Sequence, residues 1–238
     1  MPSAQQQQIH ELSRVATEGL RADVQSLLHA IHAFNISHLS SLHPRGKVLF
    51  AEGEAARGVF ILRTGRASLS IASSEGRVVI LGIARAGDVL GLNSVLRDSV
   101  YNTTVKTIEP CRTDFIGRSE FIELMERSQP GAQAVLQILS REITEVTNRA
   151  RSVLLPQTAN AKLARLLLDW CDEAGVSDSD VVRIDRVLTQ EEIAQMICSS
   201  RETVTRLLAG LTRRRIVRIT SDTILIYDRT ALERTALA

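Results

Sequence analysis

The chain is expected to be α+β, with an N-terminal β-roll, a long amphipathic helix and a C-terminal winged helix-turn-helix. Three observations predict this. Short β-rich runs between residues 47 and 83 are punctuated by Gly53, Gly65, Gly76 and Gly87, spaced 12, 11 and 11 residues apart. Ala132, Leu136, Leu139, Ile143, Val146, Ala150 and Val153 recur at intervals that alternate between four and three. Leu188 to Val217 reads as two short helices around a polar turn, and alternating apolar and polar residues follow it. A length of 238 residues is comfortable for two domains joined by a helix. The expected boundaries are residues 1–130 for N-terminal helices and the roll, 131–156 for the long helix, and 157–238 for the C-terminal domain.

Taken in order, Gln5 to Gln8 is a flexible lead-in, and Ile9 to Leu42 is helical in composition. His29, His32, His38 and His43 fall in or beside that stretch. His29 and His32 share a face, but no Cys or carboxylate follows at ligand spacing, so surface histidines are expected and no metal. Strands are expected at Lys47–Phe50, Gly58–Leu62, Ala67–Ala72, Arg77–Ile83 and Arg112–Ile116, with a helix at Arg118–Arg127. Glycine at each tip supplies the positive φ of a tight hairpin. Evenly spaced short strands of this kind close into a roll or sandwich.

The helix expected from Gly131 to Leu155 carries a heptad seam sustained for three repeats, namely Leu136, Leu139, Ile143, Val146, Ala150 and Val153 after Ala132. Such a seam pairs with a second copy or packs on its own roll. Over so short a span a period of 3.5 differs little from 3.6. Pro156 stops the helix, Leu155–Ala159 forms the hinge, and Thr158 or Asn160 caps the next helix, Ala161–Cys171. Its Leu163, Leu166, Leu167 and Trp170 are expected in the core of the C-terminal domain.

Thr189 and Glu192 have capping-box spacing, and Ile193, Met196 and Ile197 give the first short helix its apolar face. Cys198-Ser199-Ser200 interrupts it. Ser199 with Glu202 repeats the capping spacing, and Val204, Leu207, Leu208 and Leu211 point inward from the second helix. Arg201, Glu202, Thr205 and Arg206 share its outward face. Arginine offers a donor fork to guanine O6 and N7, and a carboxylate accepts from cytosine N4, both in the major groove that admits a helix. Six arginines lie between residues 201 and 218 against the single acid Glu202, while the whole chain carries only +2. Ile216–Ile219 and Thr223–Tyr227, across a Ser221-Asp222 turn, complete a wing. Double-stranded DNA is therefore the expected partner. The competing reading is a ligand-binding or protein-interaction module without specific DNA readout.

Ser200-Arg201-Glu202-Thr203-Val204-Thr205-Arg206, preceded by Leu188-Thr189-Gln190-Glu191-Glu192-Ile193-Ala194, resembles the helix-turn-helix of the CRP/FNR transcription regulators. The resemblance implies base contacts by Arg201, Glu202 and Arg206 and a phosphate contact by Thr189. Ser200, Thr203, Thr205 and Arg218 complete the expected DNA-binding set. It further implies a cyclic-nucleotide-binding-like roll, a homodimer on a palindromic site and contact with RNA polymerase. Gly87-Asp88-Val89-Leu90-Gly91-Leu92-Asn93-Ser94 resembles the family's phosphate-binding cassette. Nucleotide-binding members place a glutamate after the second glycine and an arginine about ten residues on. Here those places hold Leu92 and the cation-free Tyr101-Asn102-Thr103. Thr147 and Asn148 match polar positions through which the long helix touches a ligand across the dimer. The expected pocket is thus Gly91, Leu92, Asn93, Ser94, Tyr101, Asn102, Thr103, Thr147 and Asn148, for an unknown small-molecule effector other than cyclic AMP. Alternatively, these polar residues simply cap turns.

Several function classes are excluded by what the sequence lacks. No apolar run approaches the roughly 20 residues that cross a bilayer, and no signal-peptide pattern opens the chain. Cys111, Cys171 and Cys198 are isolated, an odd number without CxxC spacing, which fits reduced thiols in a cytoplasm. An iron-sulfur cluster wants four ligands, and no cofactor is expected. No GxSxG, HExxH or phosphate-loop lysine motif is present, so an enzyme is not expected.

Overall fold

The computed structural model describes residues 20–154, 158–174, 181–185, 188–220 and 223–237. They gather into two compact units, one of residues up to 69 with 83–143, the other of 70–82 with 144–237.

In the first unit, helix α1 (Ala22–Ala33) buries Val24, Leu27, Leu28 and Ile31 at helical spacing. It ends where the Phe34 amide donates to Ala30 and the Ile36 amide to Ile31 at 2.9 Å, with Asn35 left-handed at φ 51°. Asparagine tolerates that conformation and closes helices there. Residues 39–42, expected to be helical, instead belong to strand β1 (Leu39–His43). The αL stop at Asn35 releases the chain, and β1 finds an antiparallel partner in β8 (Cys111–Gly117), running from Leu39 opposite Phe115 to His43 opposite Cys111.

Between them run β2 (Val48–Phe50), β3 (Gly58–Thr64), β4 (Ala67–Ala72), β5 (Val78–Ala84), β6 (Val89–Leu90), the short helix α2 (Leu92–Leu96) and β7 (Thr104–Thr107). Two four-stranded sheets result, ordered β1-β8-β3-β6 and β2-β7-β4-β5. The glycine spacing is realised as expected, with Gly53, Gly65, Gly76 and Gly87 at φ between 79° and 90°. Phe50 of β2 meets Phe60 of β3 at 5.7 Å between ring centroids, and Phe60 meets Phe115 of β8 at 4.8 Å, so aromatic rings join the sheets. Helix α3 (Arg118–Arg127) adds Phe121 and Leu124 to the same core, and helix α4 (Gln129–Leu154) adds Ala134, Val135 and Ile138.

Helix α4 is the expected long helix and begins two residues earlier. In the second unit, α5 (Ala159–Ala174) opens with Thr158 accepting from the Ala161 amide at 3.1 Å, so Thr158 is the cap and Asn160 lies inside the helix. Leu163, Leu166 and Leu167 are buried as expected, while Trp170 is only half-buried. Then come β9 (Val182–Asp185), α6 (Gln190–Met196), α7 (Arg201–Arg213), β10 (Val217–Ile219), β11 (Thr223–Ile226) and α8 (Arg229–Leu237). The wing is a three-stranded sheet ordered β10-β11-β9, one strand more than the expected hairpin. Only four residues of β9 pair, too few for an alternation to stand out in the sequence. Helix α8 covers α5, and Arg229 donates to Asp172 at 2.7 Å. Residues 155–157 of the expected Leu155–Ala159 hinge and the Ser221-Asp222 turn lie outside the described residues, as does the Gln5–Gln8 tract, while Thr158 and Ala159 open α5.

Candidate nucleic-acid interface

Helix α6 starts with the capping box that its sequence announces. Thr189 Oγ1 accepts from the Glu192 amide at 3.2 Å, and Glu192 Oε2 accepts from the Thr189 amide at 2.7 Å. Its far end closes through Cys198, left-handed at φ 54°, which lets the Ser199 amide reach the Ala194 carbonyl at 2.9 Å. Because Ser199 is taken up in that turn, the cap of α7 is Ser200 and not Ser199. Ser200 Oγ accepts from the Thr203 amide at 3.2 Å, one residue later than the expected Ser199–Glu202 pair. Helix α7 then buries Val204, Leu208 and Leu211, with Leu207 half-buried, and Ile193, Met196 and Ile197 of α6 are buried beneath.

The opposite face carries Arg201, Glu202, Thr205 and Arg206, all exposed. The Glu202 carboxyl is held below the usual carboxylate range, first by backbone and Ser200 hydrogen bonds at the helix start and then by Arg201 beside it. It is an ionised acceptor near neutrality, the form that accepts a hydrogen bond from an amino group. Thr203 is half-buried behind the cap. Arg218 of β10, opposite Leu225 of β11, is exposed on the wing. Among the described residues no carboxylate lies within ion-pair distance of Arg206, Arg213, Arg214, Arg215 or Arg218, whereas Arg63, Arg66, Arg118 and Arg229 all have acid partners. Among the described residues, the positive charge of these arginines is thus not offset by ion pairs. Sequence reasoning missed Gln190, whose Oε1 accepts from Thr205 Oγ1 at 2.6 Å. A glutamine at a helix start carries no signal of its own, and only the crossing of α6 over α7 brings the two together.

The expected effector residues divide. Gly91, at φ 81°, precedes α2, with Leu92 only 1% exposed and Ser94 equally buried, while Asn93 and Asn102 face solvent. Tyr101 is 4% exposed and stacks on Phe50 at 3.9 Å. Its hydroxyl donates to the Gly58 carbonyl at 2.6 Å and accepts from the Gly58 amide at 3.3 Å, and burial pushes its pKa up. A side-chain carbon added at Gly91 would stand 2.6 Å from the Tyr101 ring. Gly91, Leu92 and Tyr101 are therefore brought together as packed core. Thr103 is half-buried, and Thr147 and Asn148 are exposed on α4. Among the described residues no three His, Cys, Asp or Glu side chains group as metal ligands, and no helix is long and apolar enough to cross a membrane.

Residues 42–128 match the cyclic nucleotide-binding domain, and residues 161–235 match the Crp-like helix-turn-helix domain. The global nitrogen regulator of Synechococcus elongatus is 31% identical over 196 residues, covering 80% of this chain and 86% of its own. The chain belongs to the CRP/FNR family of transcription regulators. Another CRP/FNR relative, the CRP-like cAMP-activated global transcriptional regulator of Mycobacterium tuberculosis, is 28% identical over 193 residues, covering 81% of this chain and 86% of its own. In fold this chain is similar to FixK2 from Bradyrhizobium japonicum, with a TM-score of 0.73 at 19% identity, covering 85% of this chain and 98% of that one. Residues 161–235, which contain α6, α7 and the wing, thus form the helix-turn-helix domain of a DNA-binding CRP/FNR-type regulator.

Proposed function

We propose that this regulator binds a palindromic DNA site as a homodimer in the cytoplasm, pairing through α4. The observation that carries this reading is the stripe of Leu136, Ile143 and Val146, which are 63%, 68% and 69% exposed in the protomer. Ala150 continues it, and the Val153 side chain lies outside the described residues. Leu139 is partly buried against the roll core, so the expected seam divides between the two faces of the helix. An apolar row of this kind, repeating at heptad spacing, is covered by a second copy. Two-fold pairing sets two α7 helices into successive major grooves about 34 Å apart. Arg201, Glu202 and Arg206 then read base edges, while Thr189 and Arg218 hold the backbone. Ser200, Thr203 and Thr205 support that face. RNA polymerase is a further partner. No catalytic role is assigned.

The effector, where one is used, is not cyclic AMP. A cyclic phosphate leaving water needs a cation or several charge-assisted hydrogen bonds. The family's ribose-holding position is the buried Leu92, and Tyr101 packs its ring against Gly91. A less polar ligand reached through Asn102, Thr103, Thr147 or Asn148 suits the remaining groups better. Selection from a random duplex pool tests the main reading, and an enriched palindrome is expected. Recovery of duplexes without sequence enrichment supports the alternative of a module lacking specific readout. Titration calorimetry tests the effector: micromolar binding of cyclic AMP, with tighter DNA binding in its presence, overturns the second claim alone.

A further inference from the structure

Thr205 stands on the exposed face of α7 between the bases' readers, four residues after Arg201 and next to Arg206. Its hydroxyl has one proton and two acceptors near it, Gln190 Oε1 at 2.6 Å and the Arg201 carbonyl at 2.9 Å. The Arg201 carbonyl already accepts the Thr205 amide within the helix ladder, so the proton goes to the closer and otherwise unmatched Gln190 oxygen. A carboxamide offers one oxygen acceptor and two N–H donors. With the oxygen held by Thr205 through one of its two lone pairs, what Gln190 turns outward is chiefly its N–H donor pair.

We propose that Gln190 is a further DNA contact, donating to a backbone phosphate, and that Thr205 is the positioning residue that orients it. This rests on the DNA-binding reading of the α6–α7 face. Three features favour phosphate over a base. Glutamine reads adenine with an acceptor and a donor together, and here the acceptor oxygen is already engaged by Thr205. Gln190 is the first residue of α6, directly after Thr189, and the first helix of such a pair crosses the sugar-phosphate backbone while the second enters the groove. Phosphate oxygens accept only, which matches the outward N–H donors. Thr205 gives up its hydroxyl proton to this lock, so its part in DNA binding is exerted through Gln190 and not through a base of its own.

A neutral amide displaces no counterion, and this separates Gln190 from the arginines. Removing Gln190 should lower affinity without changing the dependence of binding on salt, whereas removing a cation on phosphate flattens it. Gln190→Ala is expected to weaken the selected palindrome and unrelated duplexes alike, by roughly five- to a hundredfold over the two copies in a dimer, with unchanged base preference and salt slope. Thr205→Val should give the same loss, the double variant should be no weaker than either single one, and Thr205→Ser should restore binding. Gln190→Glu places a carboxylate against phosphate and should weaken binding further, with a deficit that shrinks as salt rises. Thr205 is exposed and Gln190 half-buried, and thermal melting confirms that each variant is folded before binding is compared.

The proposal is overturned if Gln190→Ala binds like the parent, if its loss and that of Thr205→Val add, or if Gln190→Ala alters base preference. A parent protein that retains no duplex overturns this proposal and the DNA-binding reading together. A parent that selects its palindrome while Gln190→Ala is indistinguishable from it overturns this proposal alone.

Discussion

Ile143→Asp separates folding from assembly, because Ile143 is 68% exposed in the protomer. Replacing so exposed a side chain should change protomer stability by no more than about 0.5 kcal/mol. In a dimer joined along α4 the same surface is covered twice. Fully burying an isoleucine is worth about 1.5 to 3 kcal/mol. Two copies, each with about two thirds of that surface left to bury, contribute roughly 2 to 4 kcal/mol to pairing. At about 1.4 kcal/mol per tenfold, losing that alone should raise the dimer dissociation constant by roughly 30- to 700-fold. Two carboxylates facing each other across an apolar seam add the cost of desolvating like charges. Sedimentation velocity at micromolar concentration should therefore show the parent as a dimer and Ile143→Asp as a monomer, with similar circular dichroism and melting. Binding to the palindrome should fall in parallel, while a half-site is still bound weakly. An unchanged dimer in the variant, or a monomeric parent, refutes the reasoning.

Other consequences follow from the C-terminal interface and the roll. Arg206→Ala should cost about 1 to 3 kcal/mol in specific binding and relax preference at one base pair per half-site, as read by competition among single-substituted duplexes. Arg218→Ala should weaken every duplex alike and lower the salt slope by about 1 per subunit; an effect confined to one sequence would place Arg218 on a base instead. Thr189→Ala removes one side of the capping box and should destabilise the C-terminal unit by about 1 kcal/mol in urea unfolding, and a loss below a few tenths would mean that the box is redundant. His43, whose Nε2 lies 2.9 Å from Thr113 Oγ1, has its pKa held below the ordinary 6.5 by burial first and Lys47 second. Its unfolded form binds protons more readily, so its contribution to stability is present above pH 6.5 and declines as the pH falls through 6.5 toward the lowered folded value. Unfolding titrations between about pH 8 and pH 5 should therefore show a shallower acid loss for His43→Gln than for the parent; equal slopes would remove His43 from the linkage.

The sequence by itself determined what depends on near neighbours along the chain. Glycines at hairpin tips, the Thr189–Glu192 box, the apolar phase of α7 and the seam of α4 are each set by residues a few positions apart, through φ, a cap or a helical repeat. The arginine-rich face of α7 was legible for the same reason, since residues spaced by three and four share a side of a helix whatever surrounds it. Tertiary structure decided whatever required two distant segments to meet. Leu39–His43 became a strand because β8, some seventy residues on, offered a free edge. The cap moved from Ser199 to Ser200 because Ser199 was taken into the closure of α6. Tyr101 packs in the core because Gly58 and Phe50 lie where its hydroxyl and ring can be satisfied. Gln190 gained a direction only because α7 carries Thr205 past it. Backbone preference and side-chain periodicity are local and written in order along the chain, whereas which acceptor a hydroxyl or carboxamide satisfies is fixed only after the elements have crossed.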